Sequence, residues 1–269
     1  MNKTRCIILV PVYKPQPSAD ETASLRQLVS VLGQWEIRFV CPESLDMSAY
    51  DSLIDTELSK ERFPDPYFEG IEGYNMLMRD CNFYRRFCAY EYLLVYQLDA
   101  WVFRDELAYW CQQGYDYIGA PWFKHDGSHE EGSGLWRCGN GGFSLRRTAK
   151  FIECTSPEAS VYSLRSIFLH PNRHLLRNLI RYVKYPNRMD WFIQHMASTW
   201  EDCFFCYDLA ETRHALHSPQ PEEAARFAFE VSPAYLFTLI GNRLPFGCHA
   251  WRKYQFEAFW QQHIKSTTA

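Results

Sequence analysis

Apolar residues in this chain fall into two patterns that alternate along the sequence. Apolar runs at Cys6–Val12, Ile37–Cys41 and Tyr92–Leu98, interrupted only by Arg38 and Gln97, have the length and composition of strands buried on both faces. Between the first two, Leu25, Leu28, Val29 and Leu32 recur at i, i+3, i+4 and i+7, the spacing of one helix face. Ser18 with Glu21 forms a capping box at the start of that helix, and Gly33 closes it. Strand, helix and strand in this order predict a β-α-β unit, with parallel neighbours and a right-handed crossover.

Further along, the polar residues 43–62 predict another helix, and Phe63–Phe68 a turn or edge. Tyr74–Tyr90 reads as a helix with Met78, Cys81, Phe87 and Tyr90 turned inward. Arg104–Gln113 is a short helix, Tyr115–Trp122 a strand running into a loop, and Gly139–Arg146 a strand followed by a helix from about Arg147. Residues 124–137 collect glycines, acids, His125 and His129 into a surface loop that could act as a lid. Their spacing is not that of a metal site. In 156–190, Pro171 and Pro186 bracket a helix with Arg173, Arg177, Arg181 and Lys184 on one stripe. Leu175, Leu176, Leu179, Ile180 and Val183 form another face, as in helices that lie on anionic membranes and also in ordinary surface helices. No repeat or linker divides the chain. The expectation is one domain over residues 1–269, with 156–190 a basic helical insertion and 230–269 a C-terminal extension that completes the site.

Two stretches carry the candidate chemistry. Leu93–Phe103 is an apolar run that ends on a lone acid, Asp99, where a central strand leaves its sheet. Ligands of open α/β sheets collect at those strand ends. Cys138–Arg146 sets Gly139, Asn140, Gly141 and Gly142 just before a strand, and glycine lets backbone approach a ligand closely. An acid and a glycine loop on one pocket suit a sugar attached to a nucleotide diphosphate. The loop after the first strand would line the same crevice, with Tyr13 stacking on a base and Lys14 meeting a phosphate, unless it is a plain exposed loop.

Composition narrows the class. Hydrophobic residues make up 47% of the 269, enough for a sizeable core, and aromatics 17%, which serve cores and sugar contacts alike. A net charge of -4 argues against a nucleic-acid binder. The ten cysteines follow no regular framework, and Cys6, Cys88 and Cys154 sit in apolar context. Reduced thiols of that kind point to the cytoplasm, with contact to the inner face of a membrane through the basic helix 172–185. No stretch reaches the roughly 20 apolar residues of a membrane span, and the apolar part of the N-terminus is too short for a signal peptide.

Gln97-Leu98-Asp99, Tyr117–Trp122, Gly139–Arg146, Glu201-Asp202-Cys203-Phe204-Phe205 and Phe246–Trp251 occur in that order. Together they resemble a family of bacterial and fungal glycosyltransferase-like proteins long labelled only as a domain of unknown function. The resemblance spans roughly Ile7 to Trp251. It implies an α/β fold of the GT-A type, Rossmann-like, with a mixed, mostly parallel central sheet and flanking helices. It implies transfer of a monosaccharide from a nucleotide diphosphate sugar, commonly UDP-linked, to a hydroxyl of a saccharide or lipid-linked saccharide in cell-surface polysaccharide synthesis such as capsule or O-antigen.

In such enzymes an Asp-x-Asp motif holds manganese or magnesium on the diphosphate. The matching triplet here is Asp99-Ala100-Trp101, in which the second acid has become tryptophan. A C-terminal histidine often completes the metal site, and His249 matches it, so the implied metal ligands are Asp99 and His249. Pro11, Val12, Tyr13, Lys14, Gln97, Asp99, Ala100 and Trp101 are the implied donor contacts. Trp122, Asn140, Gly141 and Gly142 fall on the donor-sugar or acceptor side. The pair Glu201-Asp202 resembles the late acids of inverting enzymes, with Asp202 as general base and Glu201 as a hydroxyl contact.

Three readings compete with an inverting transferase. One is a retaining transferase on the same fold. Another is a nucleotide-sugar or glycan-binding protein that has lost catalysis, suggested by the altered Asp-x-Asp. Cys203-Phe204-Phe205-Cys206 spells a Cys-x-x-Cys, but it has neither a thioredoxin-like setting nor a second pair for zinc.

Overall fold

A computed structural model describes residues 5–54, 58–124, 134–163, 165 and 175–264. The strands are β1 (Cys6–Pro11), β2 (Glu36–Pro42), β3 (Ser59–Phe63), β4 (Tyr92–Tyr96), β5 (Trp101–Val102), β6 (Tyr117–Ile118), β7 (Pro121–Phe123), β8 (Leu135–Cys138), β9 (Phe143–Arg147), β10 (Ala228–Phe229) and β11 (Gly247–Cys248). Six of them form the central sheet in the order β3-β2-β1-β4-β9-β6. Pairings across β3, β2, β1 and β4 are parallel, and β9 runs antiparallel to both β4 and β6. The architecture is therefore α/β, with a mixed, mostly parallel sheet.

The apolar runs sit where their composition requires. Every residue of β4 is buried, and β1 is buried up to Pro11. The crossover helix Ala19–Leu32 opens on the expected capping box: Ser18 accepts from the Glu21 amide and Glu21 accepts from the Ser18 amide. Leu25, Leu28 and Leu32 are fully buried beneath it, each stabilising by about 1.5–3 kcal/mol relative to exposure.

The helix expected over 43–62 is not formed. Among the described residues there only Ser48–Asp51 is helical, and Ser59–Phe63 becomes the edge strand β3. Its polar side chains suit an edge. Glu61 pairs with Arg38 at 3.0 Å and Arg86 at 2.9 Å, charging a border that would otherwise invite pairing. The long helix expected over Tyr74–Tyr90 is two helices, Gly70–Arg79 and Cys81–Arg86. Asp80 breaks it by turning extended and capping the second helix at the Asn82 amide.

The strand expected over Tyr115–Trp122 also divides, into β6 in the central sheet and β7, which pairs with β8. Most of the expected lid, including His125, Asp126, His129, Glu130 and Glu131, lies outside the described residues, as do Pro171 and Arg173.

A second sheet decides where the site forms. β11 lies between β10 and β5 in the order β10-β11-β5. A second apolar cluster welds this sheet together. Trp101 meets Trp251 at 6.0 Å edge-on, and Phe103 stacks on Trp260 at 5.7 Å. The C-terminal segment is thereby packed against the chain leaving β4, bringing residues far apart in sequence to one strand end.

Candidate active site

A cleft of about 550 Å³ opens at the carboxyl ends of β1 and β4. Its size lies within the range of small-molecule sites. One side is the loop after β1, from Pro11 to Lys14. Tyr13 is 59% exposed there, and Lys14 reaches Glu21 at 2.8 Å. Gln97, Leu98 and Asp99 follow β4 on the next wall, with His249 and Glu230 beside Asp99; Asn140–Gly142 form another, and Trp200, Glu201 and Asp202 complete the lining. The acid after the central strand and the distant acidic pair thus face one cavity.

Near the β4 end, His249 lies between two carboxylates. Its Nε2 is 3.1 Å from Asp99 Oδ1 and 3.0 Å from Gln97 Oε1, and its Nδ1 is 3.3 Å from Glu230 Oε1. Burial disfavours the charged imidazole, but the two acids outweigh it and raise the pKa to about 10. Burial would also raise Asp99, yet His249 beside it holds that carboxyl below its ordinary value. The result is an ionised acid on a charged imidazole.

Across the cleft the environment works the other way. Burial pushes Glu201 up, against the pull of Arg146. Burial also raises Asp202, helped by the charge of Glu230 and opposed by the Cys203 amide, which donates to Asp202 at 2.8 Å. Glu201 Oε1 accepts from Arg146 at 3.0 Å, and its backbone amide donates to Asn75 Oδ1 at 2.9 Å. Arg146, at 0% exposure, also donates to the Tyr84 hydroxyl and the Gly141 carbonyl. Glu201 Oε2 and Asn140 Oδ1 are buried on the cleft with no hydrogen-bond partner among the described residues. Buried polar atoms are rarely left so.

The glycines also meet a demand from within the site. Gly139, Gly141 and Gly142 do not adopt positive φ; Asn140 does, at 61°. A Cβ on Gly141 would fall 1.7 Å from Glu201 Oε1, and one on Gly142 would fall 2.1 Å from His249 Nε2. The missing side chains make room for the site's own acid and imidazole, and both glycines line the cavity.

Three expected contacts are not brought to the cleft. Ala100 is buried, its carbonyl accepting from Ser24 at 2.7 Å. Trp101 turns into β5 and packs on Trp251, away from the cavity. Trp122 stacks on Trp136 at 6.0 Å and fills the space beside Gly139. In their place stand residues that were not expected: Tyr74, Asn75, Glu230 and, beneath the wall, Arg146. Arg146 left a signal, a cation inside an apolar strand; Asn75 left none. The Cys203 and Cys206 thiols are free, and burial raises both.

Asp99 Oδ1 and His249 Nε2 are close enough to serve one divalent cation, which would have to displace the proton that the imidazole carries in the metal-free cleft. Glu230 on Nδ1 orients the ring as a carboxylate partner does behind metal-bound imidazoles. Among the described residues no cluster of three or more His, Cys, Asp or Glu is arranged to hold a metal ion. A cation here would take its remaining ligands from phosphate and water, as hard cations commonly do.

Residues 57–249 match the family DUF5672, described as a protein of unknown function. No curated protein matches the chain. Among solved structures, core-mannan synthase A from Aspergillus fumigatus in its Mn/GDP form is similar at 11% identity over 56% of this chain and 61% of that one, with a TM-score of 0.40. The mannosyltransferase Ktr4p from S. cerevisiae with GDP matches at 13% identity over 46% of this chain and 42% of its own, with a TM-score of 0.34. Less than two thirds of either fungal protein is covered. The galactosyltransferase LgtC with donor and acceptor sugar analogues matches at 9% identity over 90% of this chain and 86% of that one, with a TM-score of 0.45. Likeness at this level assigns no function.

Proposed function

We propose, from the premise that the chain belongs to the DUF5672 family, that its cleft moves a monosaccharide from a nucleotide diphosphate sugar to a hydroxyl of a saccharide acceptor on a GT-A type fold. The observation that carries this reading is the shared cavity: Asp99 with His249 on one side and Glu201 with Asp202 on the other, with Lys14 and Tyr13 at the strand end between β1 and β4.

Tyr13 offers a face for the base and Lys14 a charge for a phosphate. Manganese or magnesium, when bound, would neutralise the leaving diphosphate, and Asp99 and His249 are the residues that would hold it. Glu201 and Asn140 turn their unpaired Oε2 and Oδ1 into the cleft to accept sugar hydroxyls and fix the ring. Asp202, partly exposed and not held by a cation, takes the acceptor proton as that oxygen attacks the anomeric carbon. The bond to the diphosphate breaks, and the leaving group departs with the electron pair. One displacement inverts the anomeric configuration.

The test is release of nucleoside diphosphate across a panel of nucleotide sugars, beginning with UDP-sugars, with and without manganese and with saccharide acceptors. Acceptor-dependent release with an inverted product is expected. A chain that binds a donor but never turns it over would be a binding protein, and a retained configuration would remove Asp202 from its role as base.

A further inference from the structure

The helix Leu175–Lys184 turns one apolar face outward. Leu176 is 72% exposed, Ile180 51% and Val183 83%. Spaced at i, i+4 and i+7, they form one stripe along the helix. Leu179 and Tyr182 on the same helix are half-buried and pack on the core. The helix therefore already has its inner contact, and the outer stripe is additional to it.

The ten-residue helix carries Arg177, Arg181 and Lys184 and no acid. Arg177 is held by Glu211 at 2.8 Å, and the Lys184 ammonium lies 5.3 Å over the Tyr185 ring. Tyr185, 37% exposed, stacks on Trp191 at 5.1 Å just past the helix end. Amphipathic rings of this kind favour the boundary between water and lipid.

We propose that this face docks on an anionic lipid bilayer. Leu176, Ile180 and Val183 enter the acyl boundary, Lys184 meets headgroup phosphates, and the Tyr185–Trp191 pair sits at headgroup level. A second copy of the chain is the poorer occupant. Two such helices face to face would set base against base, and three aliphatic side chains fall far short of the roughly 800 Å² per partner of a stable interface. Among the described residues no helix is long and apolar enough to cross a membrane, so this contact is one that lies on the surface. The proposal goes beyond sugar transfer and stands whether or not the cleft turns over.

The experiment is co-sedimentation of the full chain with extruded vesicles of phosphatidylcholine alone or mixed with phosphatidylglycerol. The anionic vesicles should carry the protein down, and raising salt should release part of it. Val183→Ser should weaken the partition severalfold, and the triple variant Leu176→Ser, Ile180→Ser, Val183→Ser at least about tenfold. All three side chains are more than half exposed, so the thermal midpoint should stay within a degree or two of the parent. Equal binding to neutral vesicles, undiminished binding by the triple variant, or a dimer in solution that the triple variant abolishes would each overturn the proposal.

Discussion

The cleft holds acids on two sides, and they are treated in opposite ways. Asp99 is on the open side with 55% of its side chain exposed, against a charged imidazole that holds its carboxyl down. Glu201 and Asp202 are on the closed side, where burial pushes both up. Carboxylates driven apart in this way take different work. One that stays ionised suits a cation or the charge of a diphosphate. One held closer to neutrality suits proton transfer. The difference comes from neighbours rather than residue type, since Asp99 and Asp202 are the same amino acid.

Removing the raised acid tests this contrast most severely. Asp202→Asn should lower turnover on the order of a thousandfold, as loss of a general base does, while donor affinity changes little. Stability should move the other way. The folded pKa of Asp202 lies above its unfolded value of about 3.9, so the folded state favours the protonated form. That contribution is complete below about pH 4 and is lost as pH rises through the raised value. At pH 7 the ionised carboxylate weighs against the fold, and the amide should raise the melting temperature there but not at pH 4. A melting temperature that falls at pH 7 would mean Asp202 is not strained by its surroundings.

The closed side depends on Arg146, which has no exposed surface. Arg146→Met should cost about 3 kcal/mol in a denaturant titration, because Glu201 is left buried without its cation. Adding Glu201→Leu to that variant should recover part of the loss. If the double variant is no better than Arg146→Met alone, the ion pair is not what holds this wall.

Much of this arrangement was legible beforehand, and the failures have causes. Asp99 is placed by a buried strand that is unmistakable as an apolar run. The Ser18–Glu21 box needs only four neighbouring residues, so local sequence sufficed. Trp101 was misplaced because matching a triplet by spacing ignores that the chain turns into β5 directly after Asp99. Residues 59–63 were misread because a polar run suits a charged edge strand as well as a solvated helix. Glu230 reaches the site only through the pairing of β10 with β11, a contact that no local pattern encodes.

Gly142 tests the open side alone. Gly142→Ala would place a methyl 2.1 Å from His249 Nε2, too close for any side chain. The ring must swing away from Asp99, with an overpacking cost of about 2 kcal/mol. Donor affinity should fall about tenfold, some 1.4 kcal/mol, and any stimulation by manganese should shrink with it. Diphosphate release per bound donor should be better preserved than in Asp202→Asn. If manganese stimulation survives intact, the imidazole is not part of the cation site.

Lys14 carries the smallest expected effect and separates binding from folding on the same side. In the free chain its ammonium is spent on Glu21 at 2.8 Å, and 46% of the side chain is exposed. Such a pair contributes at most about 1 kcal/mol, so Lys14→Ala should leave the melting temperature nearly unchanged. Glu21 keeps its other bond, to the Ser18 amide, and the crossover helix keeps its cap. A phosphate in the cleft would compete with Glu21 for the ammonium, offsetting much of the gain, so donor KM should rise only about threefold to fivefold. The rise should shrink as salt is added, because an exposed charge is screened at high ionic strength. Lys14→Arg should restore most of the affinity by keeping the charge. A donor KM that Lys14→Ala leaves untouched at low salt would take the β1 loop out of phosphate binding and leave the open side to Asp99 and His249.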